Sequence, residues 1–203
     1  MAGGSGSNLP IKINFGYDTT FNKIRDIVKD VQGVINRATN RAAYKVRTVL
    51  TQETAYKYFI KPGVIRSHMK VFTAQGNDKT AKILFSGREL NLAKFYNVQP
   101  KRPGYKGIYK GAVLREGGLK PFRRPTAFYR RGKGLYLRNP DNHKDIWLVK
   151  GPAVPQIVKN KYTVEEAMGD GLIEFKNRLQ HEIHREIQKS LKVKGGRQML
   201  IQF

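Results

Sequence analysis

The sequence predicts an α+β fold: an antiparallel β-sheet of about five or six strands packed with a long N-terminal helix and a long C-terminal helix, carrying an extended basic loop or arm. Three observations predict it. Apolar residues recur at threes and fours near both ends of the chain, strand formers alternate with glycine and proline between them, and positive charge concentrates between Lys101 and Arg138. At 203 residues and 39 % hydrophobic content, the chain is large enough to bury a core.

The expected layout is a flexible N-terminal leader with a short strand over 1–18, a single α+β domain over 19–192 with its basic arm at 96–140, and a C-terminal extension over 193–203. The opening MAGGSGS lacks the basic and apolar regions of a signal peptide and reads as a flexible leader or an expression scar. Ile11, Ile13 and Phe15 alternate with Lys12 and Asn14, which predicts a strand. Asp18 or Thr19 can then cap a helix. From about Phe21 to Tyr56, Ile24, Ile27, Val28, Val31, Ile35, Ala38, Ala42, Val46, Val49 and Leu50 form one apolar stripe, with Gly33 as a kink or interruption. The other face carries Lys23, Arg25, Lys29, Arg37, Arg41, Lys45 and Arg47 against Asp26, Asp30 and Glu53. This helix is amphipathic and basic.

Lys61-Pro62-Gly63 ends that helix, because the residue before proline is pushed out of the helical basin, and Val64 to His68 add one further turn. Val71 to Ala74 and Ala81 to Phe85 predict a hairpin around Gly76-Asn77-Asp78, residues that tolerate positive φ. Ala112 to Arg115, Thr126 to Arg131, Leu135 to Arg138 and Ile146 to Lys150 read as further short strands. Gly151-Pro152-Ala153-Val154-Pro155 reads as a rigid connector, and Thr163-Val164-Glu165-Glu166 as a capping box. Met168, Leu172, Phe175, Leu179, Ile183, Ile187 and Leu191 then mark the apolar stripe of the last helix. Between Val164 and Lys192 it holds five basic and six acidic residues, a near-neutral balance that predicts packing against protein rather than polyanion.

Thirty-nine basic against 15 acidic residues give a formal charge of +24. Self-repulsion on that scale disfavours a compact free monomer as the working form. From Lys101 to Arg138 there are twelve Lys or Arg, six Tyr or Phe and seven Gly against one acid, Glu116. The runs YKGIYKGAVLR, FRRPTAFYRR and LYLR interleave ring and charge. Arg102, Lys106, Lys110, Arg115, Arg123, Arg124, Arg130 and Arg131 are the candidate contacts. They suit phosphate or another polyanion, packing against a neighbouring subunit, or a solvated positive surface. Phosphate contact would be indifferent to sequence and sensitive to salt. A nonspecific nucleic-acid-binding basic module is therefore one functional class the residues allow.

Catalytic chemistry finds no support. The absence of cysteine excludes disulfides and cysteine-based zinc or nucleophile sites. His181-Glu182-Ile183-His184 approaches a helical zinc motif, but its histidines are three apart and position 185 is Arg, so helix packing is the simpler account. Asp141, His143 and Asp145 read as a polar turn between strands rather than a two-metal site. No phosphate-binding loop or nucleophile elbow occurs. No catalytic residue, metal or cofactor is expected, and no apolar run approaches the roughly 18 residues of a membrane span.

Three segments in order carry a family likeness: Ile35-Asn36-Arg37-Ala38-Thr39-Asn40-Arg41-Ala42-Ala43, then Phe85-Ser86-Gly87-Arg88-Glu89-Leu90-Asn91-Leu92-Ala93-Lys94-Phe95, then Gly151-Pro152-Ala153-Val154-Pro155-Gln156. With the closing helix from Phe175 to Ile187, which includes Leu179-Gln180-His181-Glu182-Ile183, they resemble the prophage minor tail protein Z family over most of residues 20–192. The resemblance implies a structural protein of a long-tailed phage, placed at the neck and needed for tail completion and head–tail joining. It also implies a homo-oligomeric ring, six copies being favoured, beside the tail terminator, tail tube and head-closure proteins. Genomic DNA or the tape measure protein are the further partners it suggests. Host cytoplasm during assembly and then the virion are the implied locations, with no membrane. Asn36, Arg37, Gly87, Leu92, Gly151, Pro152 and Pro155 become structural or interfacial positions.

Overall fold

The structure, a computed structural model, describes residues 7–14, 30–58, 60–91, 94, 127–130, 134–139, 141–142 and 144–193. Helices and antiparallel strand pairs are mixed, and a long helix closes the described chain. The strands are β1 (Ser7–Ile13), β2 (Met69–Phe72), β3 (Ala81–Gly87), β4 (Glu89–Asn91), β5 (Ala127–Arg130), β6 (Gly134–Arg138), β7 (Ile146–Leu148) and β8 (Lys150–Ala153). The helices are α1 (Val31–Tyr58), α2 (Pro62–Arg66), α3 (Val154–Val158) and α4 (Lys161–Val193).

Instead of one sheet of five or six strands, the described strands form three sheets, ordered β1-β3-β2, β4-β8 and β5-β6-β7. The reason is local. Arg88 alone separates β3 from β4, and Val149 alone separates β7 from β8, so the chain changes sheet across a single residue. A register shift between Glu89 and Asn91 marks the same irregularity in β4. The predicted strand at Ala112 to Arg115 and the predicted helix over 21–29 lie outside the described residues.

The chain divides into two compact units. One takes Ile11–Arg47, Val71–Ile83 and Glu166–Phe203. In it, Asp30 caps α1 at Val31. The Gly33 N–H donates to Asp30 Oδ1 at 2.9 Å, and the Asp30 carbonyl accepts the Val34 N–H at 3.1 Å. Gly33 therefore sits in the first turn, where a Cβ would collide with the capping carboxylate. Val31, Val34, Ile35, Ala38 and Ala42 bury against Phe175 and Leu179 of α4, with Ile183 at the margin.

The buried seam of α4 runs through Ala167, Gly171, Phe175, Leu179 and Glu182. Leu172, expected in the core, is exposed. One residue is about 100° around a helix, so the seam through Gly171 turns Leu172 away. In the same unit, Asn40 of α1 holds both backbone polar groups of Ala74: its Nδ2 donates to the carbonyl at 3.1 Å, and its Oδ1 accepts the N–H at 2.6 Å. Asn36 Nδ2 donates to the Gly76 carbonyl at 2.9 Å. Gly76 has φ 53° in the 75–78 turn, the glycine the hairpin predicted, and β2 and β3 are neighbours in their sheet.

The other unit takes Met1–Pro10, Thr48–Lys70 and Leu84–Glu165. Leu50, Ile60, Ile65, Phe85, Leu90, Leu135, Val154, Ile157 and Val158 are its buried core. The segment expected to be a rigid connector is the end of β8 followed by α3. Pro155 fits the first turn of α3, where no intrahelical N–H is needed, and Gln156 Oε1 accepts the Ala153 N–H at 3.0 Å. The last helix begins earlier than the expected capping box. Asn160 Oδ1 accepts the N–H groups of Tyr162 at 3.1 Å and Thr163 at 3.4 Å. Thr163 is buried inside the helix, where its hydroxyl accepts from Lys57 Nζ at 3.1 Å.

Candidate interaction surface

Of the eight candidate contact cations, Arg102, Lys106, Lys110, Arg115, Arg123, Arg124 and Arg131 lie outside the described residues, and Arg130 is described only as backbone, opposite Gly134 in β5–β6. Among the resemblance positions Leu92 also lies outside. The rest have structural neighbours. Asn36 secures the 75–78 turn, and Gly87 closes on the His68 ring, whose Cδ2 would lie 2.5 Å from an added Cβ. Gly151 and Pro152 are in β8, and Pro155 is buried in α3.

Arg37 anchors a ladder of ion pairs that consumes much of the basic face of α1. Its Nε donates to Glu182 Oε2 at 2.7 Å, and its other nitrogens reach Asp30 at 3.3 Å and Glu186 at 3.2 Å. Farther along α1, Arg41 meets Glu174 at 3.2 Å and Lys45 meets Asp170 at 3.5 Å. Apart from Asp30, the acids come from α4, so the helix that is nearly neutral as a whole supplies an acidic face to α1. Arg41 and Lys45 are exposed, and such pairs contribute at most about 1 kcal/mol each.

Glu182 is different. Its side chain is 0 % exposed, yet three guanidinium groups surround it: Arg37, Arg178 at 2.6 Å from Oε1, and Arg185 at 3.6 Å from Oε2. Burial pushes its carboxyl up, but the hydrogen bond and charge of Arg37, with the charges of Arg178 and Arg185, outweigh burial and hold it below its ordinary range. Burial likewise lowers Arg37, and Glu182 and then Asp30 reverse this and raise it. The arrangement is a charge clamp within one unit. His181 is exposed with Nδ1 3.9 Å from Glu182, and the exposed His184 ring has Nε2 2.7 Å from the Gln188 amide nitrogen on the same helix. Among the described residues no group of three metal-ligating side chains gathers.

Asn139, Asp141, Asn142 and Asp145 form the polar turn between β6 and β7 that the sequence suggests. Asn139 Oδ1 accepts the Asp141 N–H at 3.0 Å, and Asn142 Nδ2 donates to Asp145 at 3.0 Å. His143 lies outside the described residues.

The sheet β5-β6-β7 presents a surface that the list of candidate cations missed. Its register pairs Phe128 with Tyr136 and Tyr136 with Leu148, and Arg138 with Ile146. Alternation places all five side chains on one face, opposite the buried Leu135. The Phe128 and Tyr136 rings stack at 5.9 Å and 25°, and the Arg138 guanidinium lies over Phe128 at 5.4 Å. Arg138, Ile146 and Leu148 are exposed, Phe128 and Tyr136 partly so. The signal in the sequence was the alternation of AFYR and LYLR, which gives rings and charge a common face once register is known.

Among the described residues no helix is long and apolar enough to cross a membrane. Comparison with family models, curated proteins and solved structures gave no match.

Proposed function

We propose that this chain is a non-enzymatic structural virion protein of a tailed bacteriophage, a tail-completion or neck component at the head-proximal end of the tail. It works as a homo-oligomeric ring, six copies being favoured, beside the tail terminator, tail tube and head-closure proteins. The observation that carries this reading is the ordered resemblance of residues 35–43, 85–95 and 151–156 to the minor tail protein Z family. The architecture supports it. Asn36, Arg37, Gly87 and Pro155 all bind one part of the fold to another, as positions kept for a scaffold rather than for catalysis would do. The charge of +24 supports an assembled working form, since a polyanion or acidic neighbours relieve its self-repulsion.

Electron microscopy of particles made with and without the protein tests the reading. Particles lacking it should accumulate unjoined heads and tails, and the intact particle should show it as a ring at the top of the tail. Normal joining in its absence, or its location elsewhere, refutes the proposal.

A further inference from the structure

We propose that the exposed face of the β5-β6-β7 sheet binds single-stranded nucleic acid, with Tyr136 and Phe128 as the stacking platform and Arg138 as the phosphate contact. This goes beyond the tail role and applies to the isolated chain whether or not that role is correct. The argument begins with register. Phe128 and Tyr136 are directly opposed across two antiparallel strands, so their stack is fixed by the backbone. Arg138, two residues beyond Tyr136, shares its face and already packs on Phe128. Leu148 and Ile146 of the next strand extend this apolar floor and are themselves exposed.

A face of partly exposed rings, exposed aliphatic floor and exposed guanidinium has the chemistry that accepts an unpaired base against Tyr136 and the adjoining phosphate on the cation. Duplex bases are stacked on one another and offer no free ring face, so the platform favours a single strand. Charge sets the class of partner. Strands β5 and β6 end the segment from Lys101 to Arg138, which has twelve cations and one acid, in a chain of +24. An acidic protein segment would satisfy Arg138 but bring no further planar group to the ring pair.

The test uses the full chain, a labelled oligothymidylate of roughly a dozen nucleotides, a duplex of equal length and polyglutamate, each titrated by fluorescence anisotropy across a salt series. The expected result is tighter binding of the single strand than of the duplex. Tyr136→Ala should weaken single-strand binding about tenfold or more, the range of losing one stacked base, and leave duplex binding unchanged. Tyr136→Phe keeps the ring and should bind like the parent, which separates stacking from folding. Arg138→Gln should reduce the salt slope by about one phosphate contact. Equal binding of duplex and single strand, parental binding by Tyr136→Ala, or loss in Tyr136→Phe as large as in Tyr136→Ala overturns the proposal. So does polyglutamate binding with the same dependence on Tyr136, which would assign the face to an acidic protein.

Discussion

Replacing Arg37 by Met should expose how the two long helices are held together. In the native unit the Glu182 side chain is 0 % exposed and Arg37 is 33 % exposed, joined by a 2.7 Å charge-assisted hydrogen bond. Arg37→Met leaves the carboxylate buried, with Arg178 at 2.6 Å and Arg185 at 3.6 Å still beside it. Breaking a buried pair by removing one partner costs about 3–5 kcal/mol, and the two remaining arginines place this loss at about 3 kcal/mol. The opposite deletion is milder. Glu182→Leu leaves Arg37 with Asp30 at 3.3 Å and Glu186 at 3.2 Å and with access to water, so it should cost about 1 kcal/mol. In urea unfolding followed by helical signal, with a slope of about 2 kcal/mol per molar, Arg37→Met should lower the midpoint by about 1.5 M. Adding Glu182→Leu to Arg37→Met should recover most of it. A midpoint for Arg37→Met at or above that of Glu182→Leu, or single effects that add within about 0.5 kcal/mol in the double variant, refutes the clamp.

Acid titration probes the same carboxylate. Because its folded form binds a proton less readily than the ordinary value of 4.5, the unfolded chain is protonated first. Its contribution should be complete above that value and lost as pH falls toward the folded one, and Glu182→Gln should abolish this part of the acid-side loss in pH-dependent unfolding. Asn40→Ala removes both hydrogen bonds to Ala74, so hydrogen exchange at the Ala74 amide should accelerate and stability fall by about 1–3 kcal/mol. Gly87→Ala drives a methyl into the His68 ring and should destabilise by about 1–3 kcal/mol, with His68→Ala relieving the clash in a thermal-unfolding cycle. Asn160→Ala should cost about 1 kcal/mol of stability in calorimetry through loss of the helix cap, whereas Lys45→Ala should stay within about 0.5 kcal/mol.

The stripe of α1 was legible in the sequence because Val31, Ile35, Ala38, Ala42, Val46, Val49 and Leu50 follow the helical period, and all are buried. Gly76 announced its turn for an equally local reason. Sheet membership was not legible, since pairing of β4 with β8 joins Glu89 to Ala153, and no local pattern encodes a partner so distant. Thr163 looked like a cap because its own neighbours fit one, but Lys57, far off in sequence, claims its hydroxyl and Asn160 takes the capping role. Glu182 was hidden by its motif-like histidines. A carboxylate in an apolar seam signals a buried pair, yet which arginine answers it depends on tertiary packing. The face with Phe128, Tyr136 and Arg138 was half legible: the alternation was visible, the cross-strand partners were not.

The clamp between α1 and α4 joins residues 145 and 149 positions apart, so it also sets a timetable for the newborn chain. While the protein is being made, α1 emerges with an apolar stripe and a row of cations well before its acidic counterpart in α4. At a synthesis speed of about 5–20 residues per second, α1 waits on the order of ten seconds for Glu182. During that interval its apolar stripe and cations are open to capture by RNA, chaperones or sister chains. A version ending before Phe175 would prolong that exposure indefinitely, and should be recovered as aggregate or in complex with nucleic acid.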